Sequence, residues 1–322
     1  MILVTGATGF VGRALASELV ANGSQVKALV RKVSTYLPVE IEQVMVDLGE
    51  IEDEWAIKAA FGGVDVVVHA AARVHLMKDR SANPLAEFRK LNRDSTLALA
   101  GLAADAGVKR FVFLSSIKVN GEETFPRRRP CIFMPDDQFI PTDPYGLSKY
   151  EAEQGLQALA EKTGMEVVII RPPLVYGPGV KANFASMIRW LRRGVPLPLG
   201  AIHNKRSFVA LDNLVSFIAL CTDHSQSPKA ANQVFLISDG EDVSTTQLLR
   251  KVADALGKAP RLLPVPTGLM SFAARLIGKG DVADRLFSSL QVDSSKARDL
   301  LGWQPVITMD EQLNKTVATD LK

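Results

Sequence analysis

Residues 2–12 read Ile2-Leu3-Val4-Thr5-Gly6-Ala7-Thr8-Gly9-Phe10-Val11-Gly12, a short aliphatic run that breaks into a glycine-rich turn and then into helical spacing. A run with no polar face suits a strand covered on both sides. Glycines at 6, 9 and 12 permit a tight turn, let the backbone approach a pyrophosphate and let the following helix pack closely. An anion there would rest on the helix N-terminus, where free N–H groups and the dipole favour negative charge. Glycine spacing alone also fits a merely structural turn, so its weight comes from its place on the first strand of a βαβ unit. Gly6, Thr8, Gly9, Phe10, Val11 and Gly12 are therefore expected to hold a dinucleotide diphosphate.

Outward from this turn the pattern repeats. Short β-branched runs at 2–4, 25–30, 42–46, 64–69, 110–114 and 167–170 alternate with helical stretches such as 12–22, closed by Gly23, and 95–106, closed by Gly107. This alternation predicts an α/β fold, a Rossmann-type doubly wound parallel sheet. After Arg171 the texture changes, with prolines at 172, 173, 178, 196, 198, 264, 266 and 305 interrupting helical pieces at 183–193, 213–221 and 245–256. The expected organisation is a dinucleotide-binding domain over 1–171 and a smaller substrate-binding lobe over 172–322. Some segments of the lobe should return to the sheet, and a ligand cleft is expected between the two parts.

Composition bounds the function. The 322 residues are 47% hydrophobic and 23% charged, an ordinary globular balance that excludes disorder and collagen. The 38 basic and 35 acidic residues are spread along the chain, so the net charge of +3 builds no strong polyanion field and nucleic acid is not an expected partner. Cys131 and Cys221 form neither a disulfide framework nor a zinc motif, and the scattered histidines support no metal site. No apolar run approaches the ~18–20 residues of a membrane span, and no signal peptide precedes the first strand, so a cytoplasmic location is expected. The stretch 269–277 is apolar around much of a helical circumference. It reads as a buried helix, with a surface anchor as the competing reading.

Two further stretches carry chemistry. The second strand ends Leu29-Val30-Arg31-Lys32, where an acidic residue would bind the adenosine ribose and an arginine would accept a 2′-phosphate. With no carboxylate there, Arg31 points to NADP(H) ahead of NAD(H); the alternative is a plain solvated loop. Asp47 and Leu48 follow the third strand and fit the adenine, although a turn-capping aspartate would look the same. Strand 110–114 runs into Ser115-Ser116, and Tyr145-Gly146-Leu147-Ser148-Lys149 opens a helix with tyrosine and lysine on one face. A lysine ammonium beside the phenol would lower its pKa, and a serine hydroxyl at a strand's carboxyl end can hold a substrate oxygen.

Together with His69-Ala70-Ala71, Asn92, Val119-Asn120-Gly121, Arg171 through Val175-Tyr176-Gly177-Pro178, Arg206-Ser207-Phe208 and Leu301-Gly302-Trp303-Gln304-Pro305, these motifs resemble, nearly end to end, the extended short-chain dehydrogenases/reductases that act on nucleotide sugars. The resemblance implies Tyr145 as acid/base, Ser116 as the group orienting the sugar oxygen, and Lys149 as the ribose ligand that tunes the phenol. It implies cofactor contacts from Ala70, Ala71, Ser115 and Pro172, and places Asn92 beside the active site as an organising residue. Arg206 matches the family arginine that holds a nucleotide diphosphate. Asn183 stands where the family often presents a polar contact to that ligand, and Arg285 is either a second phosphate contact or surface.

Departures from the family pattern narrow the activity. Ile117-Lys118 replaces the Asp-Glu pair of 4,6-dehydratases, Lys118 stands where double epimerases carry cysteine, and Leu174 replaces an asparagine before Val-Tyr-Gly. Lys118 reads as a sugar contact or as a salt-bridged surface lysine. Arg73 and His75 follow the His69 strand within reach of a sugar, and Arg127-Arg128-Arg129 forms a solvated face or a lid. The resemblance implies an NAD(P)H-dependent 4-ketoreductase of a UDP-linked 4-keto-6-deoxy amino sugar in surface-polysaccharide (O-antigen) synthesis, acting as a homodimer. A UDP-hexose 4-epimerase using the same residues is the alternative, and a non-catalytic dinucleotide-binding regulator is the alternative from another class.

Overall fold

A computed structural model of the chain describes residues 1–49, 54–73, 83–124, 132–137, 139–276, 278 and 280–319. His75, Arg127 to Arg129, Cys131 and Ile277 lie outside the described residues. The first half alternates as expected: β1 (Ile2–Thr5), α1 (Phe10–Ala21), β2 (Val26–Val30), β3 (Glu42–Met45), α2 (Glu54–Ala60), β4 (Val66–His69), α3 (Pro84–Arg89), a π-helical turn (Lys90–Asp94), α4 (Ser95–Asp105), β5 (Arg110–Leu114), α5 (Pro144–Thr163) and β6 (Glu166–Arg171). Then follow β7 (Leu174–Tyr176), α6 (Ala182–Arg192), β8 (Arg206–Ala210), α7 (Leu211–Thr222), β9 (Gln233–Leu236), β10 (Asp242–Val243), α8 (Thr245–Ala255), α9 (Thr267–Leu276), α10 (Gly280–Phe287), α11 (Ser295–Leu301) and α12 (Met309–Thr319).

Seven strands form one parallel sheet in the order β3-β2-β1-β4-β5-β6-β9. The order reverses between β1 and β4, and ligands of open α/β sheets sit at such a switch point. Strand alternation divides the apolar residues between the two faces. Ile2 and Val4 enter a core with Leu15 and Leu19 of α1 and with Leu214, Phe217 and Ile218 of α7. Leu3 and Val67 enter the opposite core with Ile57 of α2, Leu99 of α4 and Leu156 of α5.

Strand β9 comes from the second half of the chain yet pairs with β6 and closes that side of the sheet. The rest of the second half builds a three-stranded sheet, β10-β8-β7, over a third core of Phe184 and Ile188 (α6), Leu248 and Val252 (α8) and Leu313 (α12). The extended segment 288–293 ties the two parts together. It bonds Thr124 and Phe133 of the loops after β5 on one side and Lys205 and Ser207 on the other. One expectation is corrected here: α9 buries none of its residues, so the apolar stretch it carries is not a buried helix.

Candidate active site

The glycine loop is built by close packing. Gly6 has φ +68°, and a Cβ there would lie 2.6 Å from the Ala71 nitrogen; one on Gly12 would lie 2.2 Å from the Gly6 carbonyl oxygen. Only glycine fits either position, because the obstructing atoms are backbone. Gly9 begins α1 without a side-chain cap, and no acidic residue stands in the first turn. The amides that open a helix have no intrahelical acceptor, so this end suits an anion. Across the switch point, Ala70 and Ala71 are strapped to the loop: the Ala70 amide donates to the Thr5 carbonyl at 3.3 Å and the Ala71 amide to the Thr5 hydroxyl at 3.2 Å.

From Thr5 a chain of buried hydrogen bonds runs to the tyrosine helix. Having accepted from Ala71, the Thr5 hydroxyl donates to His69 Nδ1 at 2.8 Å. That assigns the ring proton to Nε2, which donates to Thr96 Oγ1 at 3.0 Å, and Thr96 donates to the Asn92 carbonyl at 2.9 Å. Burial, reinforced by the charge of Lys149, pushes His69 down to about 3, so the ring stays neutral. Asn92, at the centre of the π-helical turn, donates from Nδ2 to Ser148 Oγ at 3.1 Å, and Ser148 donates to the Tyr145 carbonyl at 2.8 Å. The glycine loop and Tyr145 are thereby held by one polar network. Sequence reasoning singled out Asn92 but neither Thr96 nor Ser148.

Asp143 caps α5, accepting from the Gly146 amide at 3.1 Å, and Pro144 follows as the first helical residue, so the helix starts just ahead of Tyr145. The Tyr145 phenol is pushed up to about 12, by burial first and by Asp143 to a lesser degree, while the nearby Ser116 hydroxyl pulls it down. Lys149, fully buried, donates to the Leu114 carbonyl at 2.9 Å and lies 4.4 Å from the centroid of the Phe113 ring. Its ammonium is pushed down to about 7 by burial, against the pull of Glu153. The expectation that lysine lowers the phenol's pKa is therefore not met in this state. Desolvation dominates the phenol, and Lys149 is engaged with β5.

A second network lies beneath this group. Ser115 donates to Glu153 Oε1, and Arg171 grips both carboxylate oxygens, Nε at 3.0 and 3.1 Å and Nη2 at 2.5 Å. The other arm of Arg171 donates to Asn120 Oδ1 at 3.0 Å and to the Pro135 carbonyl at 3.1 Å. With Ser115 committed to Glu153, Ser116 is the hydroxyl of the pair left near the phenol. Glu153 is completely buried and was not found by sequence reasoning. The available signal was its spacing, one helical turn beyond Lys149 and two beyond Tyr145.

This arrangement, a glycine turn on β1 and a Ser-Tyr-Lys group at the end of β5, agrees with comparison to known proteins: the NAD dependent epimerase/dehydratase family matches residues 2–237. The chain belongs to this family. A UDP-glucose 4-epimerase of Vibrio cholerae is 47% identical over 323 residues, covering 100% of this chain and 95% of the relative. An N-acetyl-alpha-D-glucosaminyl-diphospho-ditrans,octacis-undecaprenol 4-epimerase of Escherichia coli O157:H7 is 28% identical, covering 98% and 94%. In fold, the chain is similar to a UDP-glucuronic acid 4-epimerase from Bacillus cereus in complex with NAD (TM-score 0.77, 20% identity, 99% and 97% of the chains). It is likewise similar to a UDP-glucose 4-epimerase from Thermotoga maritima with UDP-glucose (TM-score 0.74, 24% identity, 99% and 98%).

The other sequence-predicted residues of this epimerase/dehydratase chain fall into two groups. Pro172 is buried, and its carbonyl accepts from the Ile117 amide at 3.0 Å, next to Ser116. Arg206 is pulled below the usual guanidinium range by burial, and its Nη1 donates to the Arg285 carbonyl at 2.7 Å and the Ser288 carbonyl at 3.1 Å. The remainder are more exposed. Arg31 has no ion pair among the described residues, Asp47 accepts from the Gly49 amide at 2.9 Å as a turn cap, and Leu48 packs beside the second core. Asn183 lies exposed in the first turn of α6, and the Arg285 side chain is exposed on α10. Lys118 pairs with Glu122 at 2.7 Å and Asp143 at 3.1 Å, the salt-bridged alternative rather than a lysine free to reach a sugar.

Proposed function

We propose that the chain is a nucleotide-sugar 4-epimerase that works with a bound nicotinamide dinucleotide. The observation that carries the reading is the chain of buried hydrogen bonds that ties Thr5, at the head of the glycine turn, through His69, Thr96, Asn92 and Ser148 to the Tyr145 carbonyl. The identity with the Vibrio cholerae protein favours epimerase over reductase. The residues fit the dinucleotide: the uncapped start of α1 and the glycine positions leave room for a diphosphate, and Ala70, Ala71, Asn92, Ser115 and Pro172 would flank the nicotinamide side. Asp47 and Leu48 would meet the adenine.

A bound nicotinamide dinucleotide would supply reversible hydride transfer at sugar C4. The chain's own residues handle the proton and the geometry. Ser116 would orient the C4 oxygen, and Tyr145, protonated at neutral pH, would exchange a proton with that oxygen as it passes between alcohol and ketone. Lys149 would hold the ribose and supply positive charge nearby. Arg206, with Asn183, would hold the diphosphate, and a guanidinium fork suits that task. The name of the E. coli relative places its sugar diphosphate on undecaprenol, whereas the identity with the Vibrio cholerae protein favours a nucleoside diphosphate as the carrier here.

The second reading, a 4-ketoreductase with NADP(H), rests on Arg31 at the end of β2 in place of a carboxylate. The division into 1–171 and 172–322, a homodimer and a role in surface-polysaccharide synthesis belong to the same proposal. Stoichiometry separates the readings. Incubated with UDP-glucose or UDP-N-acetylglucosamine and no added cofactor, the purified protein is expected to form the C4 epimer without net cofactor turnover. Mole-for-mole oxidation of NADPH by a 4-keto sugar, with no epimer, would promote the reductase. In either case Tyr145→Phe should lower turnover by about 10²–10⁴, the usual share of general acid catalysis.

A further inference from the structure

Lys118 stands two residues after Ser116 and takes no part in the proton or hydride steps. It lies in the 3₁₀ turn Ile117–Val119 that Ser116 caps, and its amide, carbonyl and ammonium are all engaged there. The amide donates to Ser116 Oγ at 3.3 Å. The carbonyl oxygen stands 3.1 Å from where a Cβ on Gly146 would lie, so the turn is pressed against the first turn of α5. The ammonium donates to Glu122 Oε1 at 2.7 Å and to Asp143 Oδ1 at 3.1 Å.

The contact with Asp143 links two parts of the site. Oδ1 is the same oxygen that accepts from the Gly146 amide at 3.1 Å and so caps the helix carrying Tyr145. One carboxylate oxygen thus joins Lys118 to the helix start. The Lys118 and Asp143 side chains are both half-buried, whereas Glu122 is exposed and is the looser second partner. Asp143 also pushes the Tyr145 phenol up, and an ammonium on its carboxylate offsets that charge. Tyr145 sits between the capping residue and the amide it caps, so a shift of the cap moves the phenol.

We propose that Lys118 is a positioning residue: it fastens the start of the Tyr145 helix to the Ser116 turn, so that hydroxyl and phenol approach the same sugar oxygen as one unit. Misplacing reacting groups by about 1 Å can cost about 10²-fold in rate, so a tether of modest strength has leverage on turnover. The effect on turnover rests on Ser116 and Tyr145 serving the C4 oxygen; the tether itself does not.

Lys118→Met removes the charge and keeps an unbranched stem, Lys118→Arg keeps the charge, and Asp143→Asn keeps a capping oxygen without the carboxylate. In the full chain, epimerisation of UDP-glucose and UDP-N-acetylglucosamine is measured alongside hydrogen exchange of the backbone amides of 143–149 by mass spectrometry. Lys118→Met is expected to lower kcat about tenfold while KM stays within about twofold of wild type. Its 143–149 amides should exchange about two- to fivefold faster, the worth of a partly exposed ion pair. Lys118→Arg should restore most of both. Asp143→Asn should lower kcat similarly, and Lys118→Met/Asp143→Asn should be no slower than the slower single variant, since both break one link. Unchanged exchange in Lys118→Met overturns the tether. A kcat that stays at the wild-type value, or a loss carried by KM as for a direct substrate contact, overturns the positioning role, and so do losses that multiply in the double variant. If wild type forms no epimer, the epimerase reading fails while the exchange measurement still decides the tether.

Discussion

Glu153 shows how much of the site depends on a side chain with no chemistry of its own. It receives Ser115 and Arg171 and is the charge that favours the buried Lys149 ammonium. In Glu153→Gln, Arg171 stays buried with half its partnership gone, and breaking such a pair typically costs about 3–5 kcal/mol. Lys149, already at about 7, should fall further, so the variant's alkaline loss of activity should begin at lower pH than in wild type. Urea unfolding and a pH–rate profile check the two effects. A profile that does not move would leave Glu153 a structural role only. At this scale the sequence was legible where a residue type has one use, as with the glycines and the Tyr-Lys pair. It was illegible where a role is defined by a partner. Thr5 meets His69 across 64 positions and Asn92 meets Ser148 across 56, distances at which no local pattern operates.

Among the elements, β1 and α1 form the tightest junction. Gly12→Ala would drive its methyl carbon against the Gly6 carbonyl, which cannot yield without moving the turn. A stability loss of about 1–3 kcal/mol is expected, with a clear drop in dinucleotide affinity by fluorescence titration. Gly101→Ala in α4 is the contrast: its methyl group would meet nothing within 4 Å, so it should be neutral or gain up to about 1 kcal/mol. Equal behaviour of the two would dismiss the close-packing account. Strands buried on both faces were the most legible elements, because continuous β-branched runs admit few other structures. The run 64–69 lost its first two residues to the turn before β4, and 42–46 lost one at its end. The π-helical turn at Lys90–Asp94 left no sequence signal, since nothing in Lys-Leu-Asn-Arg-Asp distinguishes a π turn from an α turn. The exposure of α9 was equally hidden, because an apolar helix looks the same whether or not the fold covers it.

For the whole molecule, the buried network sets a pH limit. His69 ionises near 6.5 in an unfolded chain and near 3 in the native one, because burial excludes the charge. Between those values the unfolded state takes up a proton that the native state refuses. Stability therefore falls as pH falls through this window, by up to about 1.4 kcal/mol per unit from this group. Urea denaturation from about pH 6 to 4 should show a shallower loss in His69→Gln than in wild type; identical slopes would mean that His69 is not the group responsible.

The late arrival of β9 has a consequence for how the chain is made. Arg110, at the start of β5, is wholly buried, and its guanidinium is satisfied from the second half of the chain by the Cys221 carbonyl at 2.8 Å and by Ser227 Oγ at 2.9 Å. Strand β6 shows an open edge until residues 233–236 are available. During synthesis, a nascent chain that has just released β6 already contains the glycine turn, Ser116, Tyr145 and Lys149, yet it carries an unpaired strand and an arginine held by Glu166 alone, its other guanidinium nitrogens lacking their partners. Such an intermediate is prone to pair with its neighbours. Expression of the first half alone should therefore give aggregates rather than a small dinucleotide-binding unit, and completion of the sheet is the point at which the nascent chain becomes safe from its own edges.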